Sequence, residues 1–257
     1  MKRNLYDLTN EPFVMFVNRV GEVLRDEGIS HNVVGGVGVQ SYLLSMLTNK
    51  QGKNVVDLIN DPNIRMQDIV RSTDDVDIAL GFQGSDFDKI TTIKGILPSL
   101  AYEGISPCGE YIIEFKSERV GVARPTFRVY VDGVGGQDDV ISMNLSRGQN
   151  GDIRGLESSW YDVFLQDSRE LQIPYCEGFG LRINVPRLEH LLAPKIAHSR
   201  PKDLMDTQNI AELAQESGVE IDFKEMERVL MPHHEDHYRE FLSLGYPSQL
   251  ESFDRKH

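Results

Sequence analysis

Asp75 and Asp77 alternate with apolar residues in the run Asp75-Val-Asp-Ile-Ala-Leu-Gly-Phe82. A period of two turns Val76, Ile78 and Leu80 to one side and Asp75, Asp77 and Ala79 to the other, the pattern of a half-buried strand. The chain must therefore build a sheet with one face on a core and two carboxylates side by side on the opposite face. Two like charges held a few ångströms apart repel unless a cation lies between them. Upstream, a short strand at 31–34 runs into Gly35-Gly36, and a helix over 37–50 follows with Leu43, Leu44 and Leu47 as its apolar stripe. A double glycine at a strand-to-helix turn lets backbone approach a phosphate closely, and the helix N-terminus offers N–H groups to its charge.

The rest of the chain mixes helices and strands up to about residue 185 and is helical beyond it. Phe13, Phe16, Val17, Val20 and Val23/Leu24 recur at helical spacing over 9–27, with Thr9 and Asn10 where an N-cap would be and Gly28 where a C-cap glycine would be. Residues 51–67 are polar and turn-rich, as an insertion around one short strand. A helix is expected over 86–103, ending at Gly104. Strands are expected at 110–116, 126–132, 139–145, 171–174 and 180–185, with a Gly- and Arg-rich loop at 146–157. Helices are expected at 187–198, 203–216, 222–230 and 234–244. The expected architecture is α+β (an α/β mixed sheet), with a core domain over 1–185 and a helical C-terminal domain over 186–257.

These motifs together resemble the nucleotidyltransferase superfamily of polymerase-β-like fold, and within it the AbiEii/AbiGii-type nucleotidyltransferases of toxin–antitoxin and phage-defence systems. The residues that carry the resemblance are Gly35-Gly36, then Arg71-Ser-Thr-Asp-Asp75-Val-Asp77-Ile78, then Glu189-His-Leu-Leu-Ala-Pro-Lys195, then Arg200-Pro-Lys-Asp203-Leu-Met-Asp206. They extend over residues 32 to about 213, and the fourth is the most specific. The resemblance implies an Mg²⁺-dependent enzyme moving an NMP from an NTP to a hydroxyl of an RNA (tRNA) or protein acceptor, and a cognate antitoxin as a possible partner. It implies Asp75 and Asp77 as metal ligands and catalytic residues. Asp132, closing the strand that precedes Gly133, is the expected third carboxylate, as metal ligand or base, with Asp138 and Asp139 as alternatives. Gly35, Gly36, Arg71, Thr73, Lys195, Asp203 and Asp206 are the expected nucleotide-binding residues, Lys195 also serving catalysis by neutralising the triphosphate.

Two positions depart from that pattern. Val37 stands where the family has Ser or Thr, which removes a hydroxyl from the phosphate turn; Ser41 is one turn further along. The interval from Gly36 to Asp75 is long, in keeping with the insertion at 51–67.

Composition narrows the field of partners. Lys+Arg is 27 and Asp+Glu is 40, a net charge of -13, which excludes general DNA coating because phosphates would be repelled. Arg182, Arg187, Lys195, Arg200 and Lys202 form a local reversal of sign suited to an anionic nucleotide or RNA end. The same acidity keeps a rival open, a small-molecule nucleotidyltransferase acting on a polycationic aminoglycoside; Val37 keeps open a non-catalytic nucleotide-binding module. The acids at 216–240 read as a solvated helix face. Gly36-x-Gly-x-x-Ser41 lacks the third glycine of a dinucleotide fingerprint, and His233-His-Glu-Asp-His237 is not a zinc-protease motif. Cys108 and Cys176 exclude a disulfide framework. The segment MKRNLYDLTNEPF lacks the apolar run of a signal peptide, no stretch approaches a membrane span, and the cytoplasm is the expected compartment.

Overall fold

A computed structural model describes residues 7–73, 75–81, 91, 95–100, 102–106, 109–120, 125–131, 140–147, 159–230, 236 and 239, with backbone alone for 75, 97 and 102–162. By its backbone contacts the chain divides into a unit ending at Arg187 and a unit beginning at Leu188.

The first unit opens with helix α1 (Glu11–Asp26). Asn10 caps it by accepting from the Phe13 N–H at 3.1 Å, and Pro12 sits in its first turn, where no intrahelical N–H is needed. Its buried face is the expected one, with Phe13, Phe16, Val17, Val20, Val23 and Leu24 at 3% exposure or less. Strand β1 (Ser30–Val34) passes directly into helix α2 (Gly35–Gln51). Leu43, Leu44 and Leu47 are buried as expected, but so are Gln40, Ser41 and Thr48, so α2 is enclosed on most of its circumference. The insertion contains two short helices, α3 (Val55–Ile59) and α4 (Met66–Ile69), where a strand was expected. Asn54 caps α3 through the Asp57 N–H at 2.8 Å, and Val55 and Leu58 are fully buried. An Asn cap with apolar residues three apart is a helical signal, and it outweighs the β-branched pair Val55-Val56.

Strand β2 (Asp75–Gly81) carries the two aspartates. After it, helical residues at 95 and 96 pass into a 3-10 turn at Leu97–Leu100, and β3 (Tyr102–Ser106) begins before the expected helix end. Pro98 explains the early stop, since a proline removes an N–H and restricts the residue before it. Strands β4 (Gly109–Val120), β5 (Pro125–Val131) and β6 (Val140–Arg147) complete a six-stranded sheet in the order β1-β2-β6-β5-β4-β3. Only β2 and β6 run parallel; the other neighbours are antiparallel. The sheet is mixed and the fold is α+β.

Helix α5 (Ser159–Gln166) was not expected from the sequence; it leads into a hairpin of β7 (Ser168–Cys176) and β8 (Phe179–Pro186), both longer than their apolar runs. Ile173, Tyr175, Leu181, Ile183 and Val185 turn inward, at 2% exposure or less. Asn32 ties β1 to this layer, donating to the Phe164 carbonyl at 2.5 Å and accepting from Ser168 Oγ at 2.6 Å. The Tyr42 hydroxyl on α2 donates to the Pro186 carbonyl at 2.6 Å. These bonds satisfy polar groups that would otherwise be stranded in the core.

The second unit holds α6 (Leu188–His198), α7 (Pro201–Ser217) and a helix α8 at 223–230. Glu189 accepts the Asp222 N–H at 2.7 Å, just ahead of α8. His190 Nε2 lies 2.6 Å from Glu225 Oε1, and Arg228 grips the same carboxylate through Nε at 2.8 Å and Nη2 at 2.7 Å. Arg228, and then His190, hold the Glu225 carboxyl down to about 2. Among the described residues, no helix is long and apolar enough to cross a membrane.

Candidate active site

The site begins with register. Val34, the last residue of β1, pairs with Asp77 of β2. The chain turns into α2 at that point, so the first turn of the helix starts beside the second aspartate. Gly35 takes φ +65°, a conformation costly for any residue with a Cβ. A Cβ on Gly35 would lie 2.6 Å from Asp77 Oδ2, closer than a real carbon ever comes. One on Gly36 would lie 3.0 Å from Thr73 Oγ1, 3.1 Å from Thr73 Cβ and 3.6 Å from Arg71 Nη2. Glycine is thus required at 35 by both close approach and backbone, while at 36 a side chain would press on Thr73.

The electrostatics follow from the same contact. Val34 is the N-cap residue of α2 and supplies no side-chain cap. The Asp77 carboxylate, lying against Gly35, brings negative charge to the positive end of the helix dipole. Helix capping alone would account for one carboxylate at this place, but not for two adjoining glycines and a second aspartate at Asp75. On β2, Asp75 stands opposite Ser142 and Asp77 opposite Asn144 of β6, two positions apart on one strand. Val76 and Ile78, which alternate with them, are fully buried. The Asp77 carboxylate is an oxygen donor of the kind a hard divalent cation takes, and Asp75 stands two positions before it on the same strand. Among the described residues no group of three or more His, Cys, Asp or Glu gathers as a metal cage.

The remaining expected residues fall as follows. Arg71, Thr73, Gly35, Gly36 and Asp77 come together at the α2 start. Asp132, Asp138 and Asp139 lie outside the described residues, as do Cys108 and His233, His234 and His237. The strand before Asp132 is β5, which is separated from β2 by β6. Val37 is fully buried, so position 37 faces the core here, and the Ser41 hydroxyl donates to the Val37 carbonyl at 2.8 Å. Ser41 is occupied by its own helix.

Lys195, Asp203, Asp206 and Arg200 gather in the second unit. The Lys195 ammonium lies 2.7 Å from Asp206 Oδ2 and 3.6 Å from Asp203 Oδ1. Arg200 reaches Asp203 through Nε at 2.5 Å and Nη2 at 3.2 Å. Lys195, Asp203 and Asp206 side chains are at most 9% exposed. Two cations and two carboxylates cancel. Arg182 meets Glu170 at 2.5 Å, and Arg187 meets Asp167 at 3.7 Å. The cluster expected as a local reversal of sign is therefore largely neutralised, by Asp203 and Asp206 of the motif itself and by Glu170 and Asp167, which no motif marked.

Two polar residues at the site had no motif to mark them. Gln40 on α2 is 1% exposed and Asp7 reaches Ser72, beside Thr73. The one available signal for Gln40 was an amide inside a helix otherwise rich in apolar side chains.

No family model matches the chain, and no curated protein matches it. Among solved structures it is similar to an antigenic nucleotidyltransferase-like protein from Paracoccidioides brasiliensis, with a TM-score of 0.44 and 16% identity over 81% of this chain and 78% of that one.

Two outcomes test this geometry. Gly35→Ala combines backbone strain with the Asp77 clash, whereas Gly52→Ala at φ +62° meets nothing within 4 Å. Thermal melting should show Gly52→Ala losing about 1 kcal/mol and Gly35→Ala clearly more, with the excess relieved by Asp77→Ala. Lys195→Met should cost about 3–5 kcal/mol in urea unfolding, because buried Asp206 loses its partner, and Asp206→Asn in the same chain should recover much of it.

Proposed function

We propose that this chain is a nucleotidyltransferase of polymerase-β-like fold that moves an NMP from an NTP to a hydroxyl and releases pyrophosphate, with Mg²⁺ as its cofactor. The observation that supports this reading best is the Asp77 carboxylate against Gly35 at the first turn of a 17-residue helix. A carboxylate pair and a phosphate-accepting backbone turn are the two halves of such chemistry, and here they adjoin.

In this reading Asp75 and Asp77 hold the divalent cation. The cation supplies charge neutralisation for the triphosphate and lowers the pKa of the attacking hydroxyl. The N–H groups of the first turn of α2, which the helix itself leaves without acceptors, would meet the phosphate oxygens, the two glycines being set by the close approach of Asp77 and Thr73. Arg71 adds a guanidinium beside Gly36, suited to bidentate contact with phosphate. Asp132 is proposed as third carboxylate and base on the strength of the resemblance. So are the roles of Lys195, Asp203 and Asp206 toward the nucleotide, for which Lys195 would have to exchange a buried carboxylate for a phosphate. An RNA (tRNA) or protein acceptor, a toxin or defence role and a cognate antitoxin rest on the same resemblance. The charge of -13 favours the second reading, an aminoglycoside-type acceptor drawn by opposite charge.

The experiment is incubation of the chain with each labelled NTP and Mg²⁺, with total tRNA, with the protein alone and with aminoglycosides. Label is expected on RNA or protein, and Asp77→Asn should reduce transfer by about a thousandfold or more while the melting temperature holds, since the variant removes repulsion and keeps shape. Label on the aminoglycoside alone selects the second reading. Binding of NTP without transfer to any acceptor selects a binding module, and equal transfer by Asp77→Asn overturns the proposal.

A further inference from the structure

The segment before α1 is tied to the segment leading into β2. Leu8 is fully buried, and its N–H donates to Gln40 Oε1 at 2.8 Å. The other end of the same amide, Gln40 Nε2, donates to the Arg71 carbonyl at 2.7 Å. Beside it, Ser72 Oγ donates to Asp7 Oδ2 at 3.1 Å. Asp7 is itself braced, because its Oδ1 accepts the Thr9 N–H at 2.9 Å and its carbonyl accepts the Asn10 N–H at 3.0 Å. The Tyr175 hydroxyl donates to the Thr9 carbonyl at 3.1 Å, which pins the strap to the β7–β8 hairpin. Residues 71–73 are thus held by Asp7 and Gln40, and Thr73 and Arg71 lie against Gly36, one turn before Gln40 on α2.

We infer that Asp7 and Gln40 are positioning residues of the nucleotide site: through hydrogen bonds to Ser72 and Arg71 they fix the Arg71 guanidinium and Thr73 against the Gly35-Gly36 turn. The inference rests on the nucleotidyltransferase reading and adds the residues that set its affinity for NTP. Gln40 is placed for this work. It sits one turn beyond Gly36 on the same helix, so it ties the position of Arg71 to that of the phosphate turn. A buried amide is costly unless both ends are used, and both ends of Gln40 are. Asp7 carries a charge of the wrong sign for a triphosphate, and simple Coulomb repulsion makes it a liability near one. Its contribution must then come through its acceptor oxygen, and charge and acceptor are separable by substitution.

The test is isothermal titration of the full chain with ATP, GTP, CTP and UTP, each with Mg²⁺, alongside thermal melts. Asp7→Ala removes charge and acceptor and should weaken NTP binding about fivefold to tenfold at temperatures where it is fully folded. Asp7→Asn removes the charge but keeps an acceptor oxygen, and should bind within about twofold of the wild type. Ser72→Ala should match Asp7→Ala, and the double variant should add little to either. Gln40→Met, which fills the space without either hydrogen bond, should lose at least as much affinity. If Asp7→Ala and Asp7→Asn bind alike, or the variants melt earlier with unchanged affinity while the wild type binds NTP, the inference is overturned. A wild type that binds none of the four nucleotides overturns the nucleotidyltransferase reading, and the inference falls with it.

Discussion

The close approach of β2 to the start of α2 governs this molecule. Val34 pairs with Asp77, the chain turns at Gly35 with φ +65°, and the carboxylate occupies the space a side chain on Gly35 would need. That contact fixes the helix direction relative to the strand. It also explains why two glycines adjoin here at some cost in backbone entropy. The same contact places negative charge where a helix N-terminus is positive.

The electrostatic layout of the chain is one of local cancellation within an overall acidic total. Lys195 and Arg200 are met by Asp206 and Asp203, Arg182 by Glu170, and Arg228 by Glu225. The Lys195 cluster is the buried one, where losing one partner is far more costly than losing a surface pair. Arg182 and Arg228 are over half exposed, and their pairs contribute little to stability. Arg71 differs in setting, because it lies at the glycine turn beside Asp77's strand rather than in a helix pair.

What was legible in the sequence was what local pattern controls. The apolar stripe of α1 and the strand–glycine–helix passage at 31–50 appear as read, because burial periodicity and backbone need are written in adjacent residues; on β2 Val76, Ile78 and Leu80 are buried as read, but Ala79 on the other face is fully buried as well. The two helices of the insertion are short, and α3 has only the Asn54 cap and the buried pair Val55 and Leu58 to mark it, so a polar, turn-rich stretch reads as loop around a strand. Strand β3 was absorbed into a helix because Pro98 was not treated as a stop. The strap from Asp7 to Ser72 and the amide of Gln40 join residues 31 to 65 positions apart, and no local pattern encodes such a bond. The pairing of Arg182 with Glu170 across a hairpin was hidden for the same reason, which is why a neutralised cluster read as a positive one.

The central claim is that the Asp77 carboxylate and the Gly35-Gly36 turn form one site for a divalent cation and a nucleotide. Paramagnetic Mn²⁺ in place of Mg²⁺ reports this directly, since it broadens the amide signals nearest to it, and oxygen ligands that take Mg²⁺ also take Mn²⁺. With NTP present, the account predicts that the amide signals of Gly35, Gly36 and Asp77 broaden first in the wild type and persist in Asp77→Asn. Broadening confined to the acidic stretch at 216–230, with Gly35 and Gly36 untouched at saturating Mn²⁺ and NTP, would contradict it.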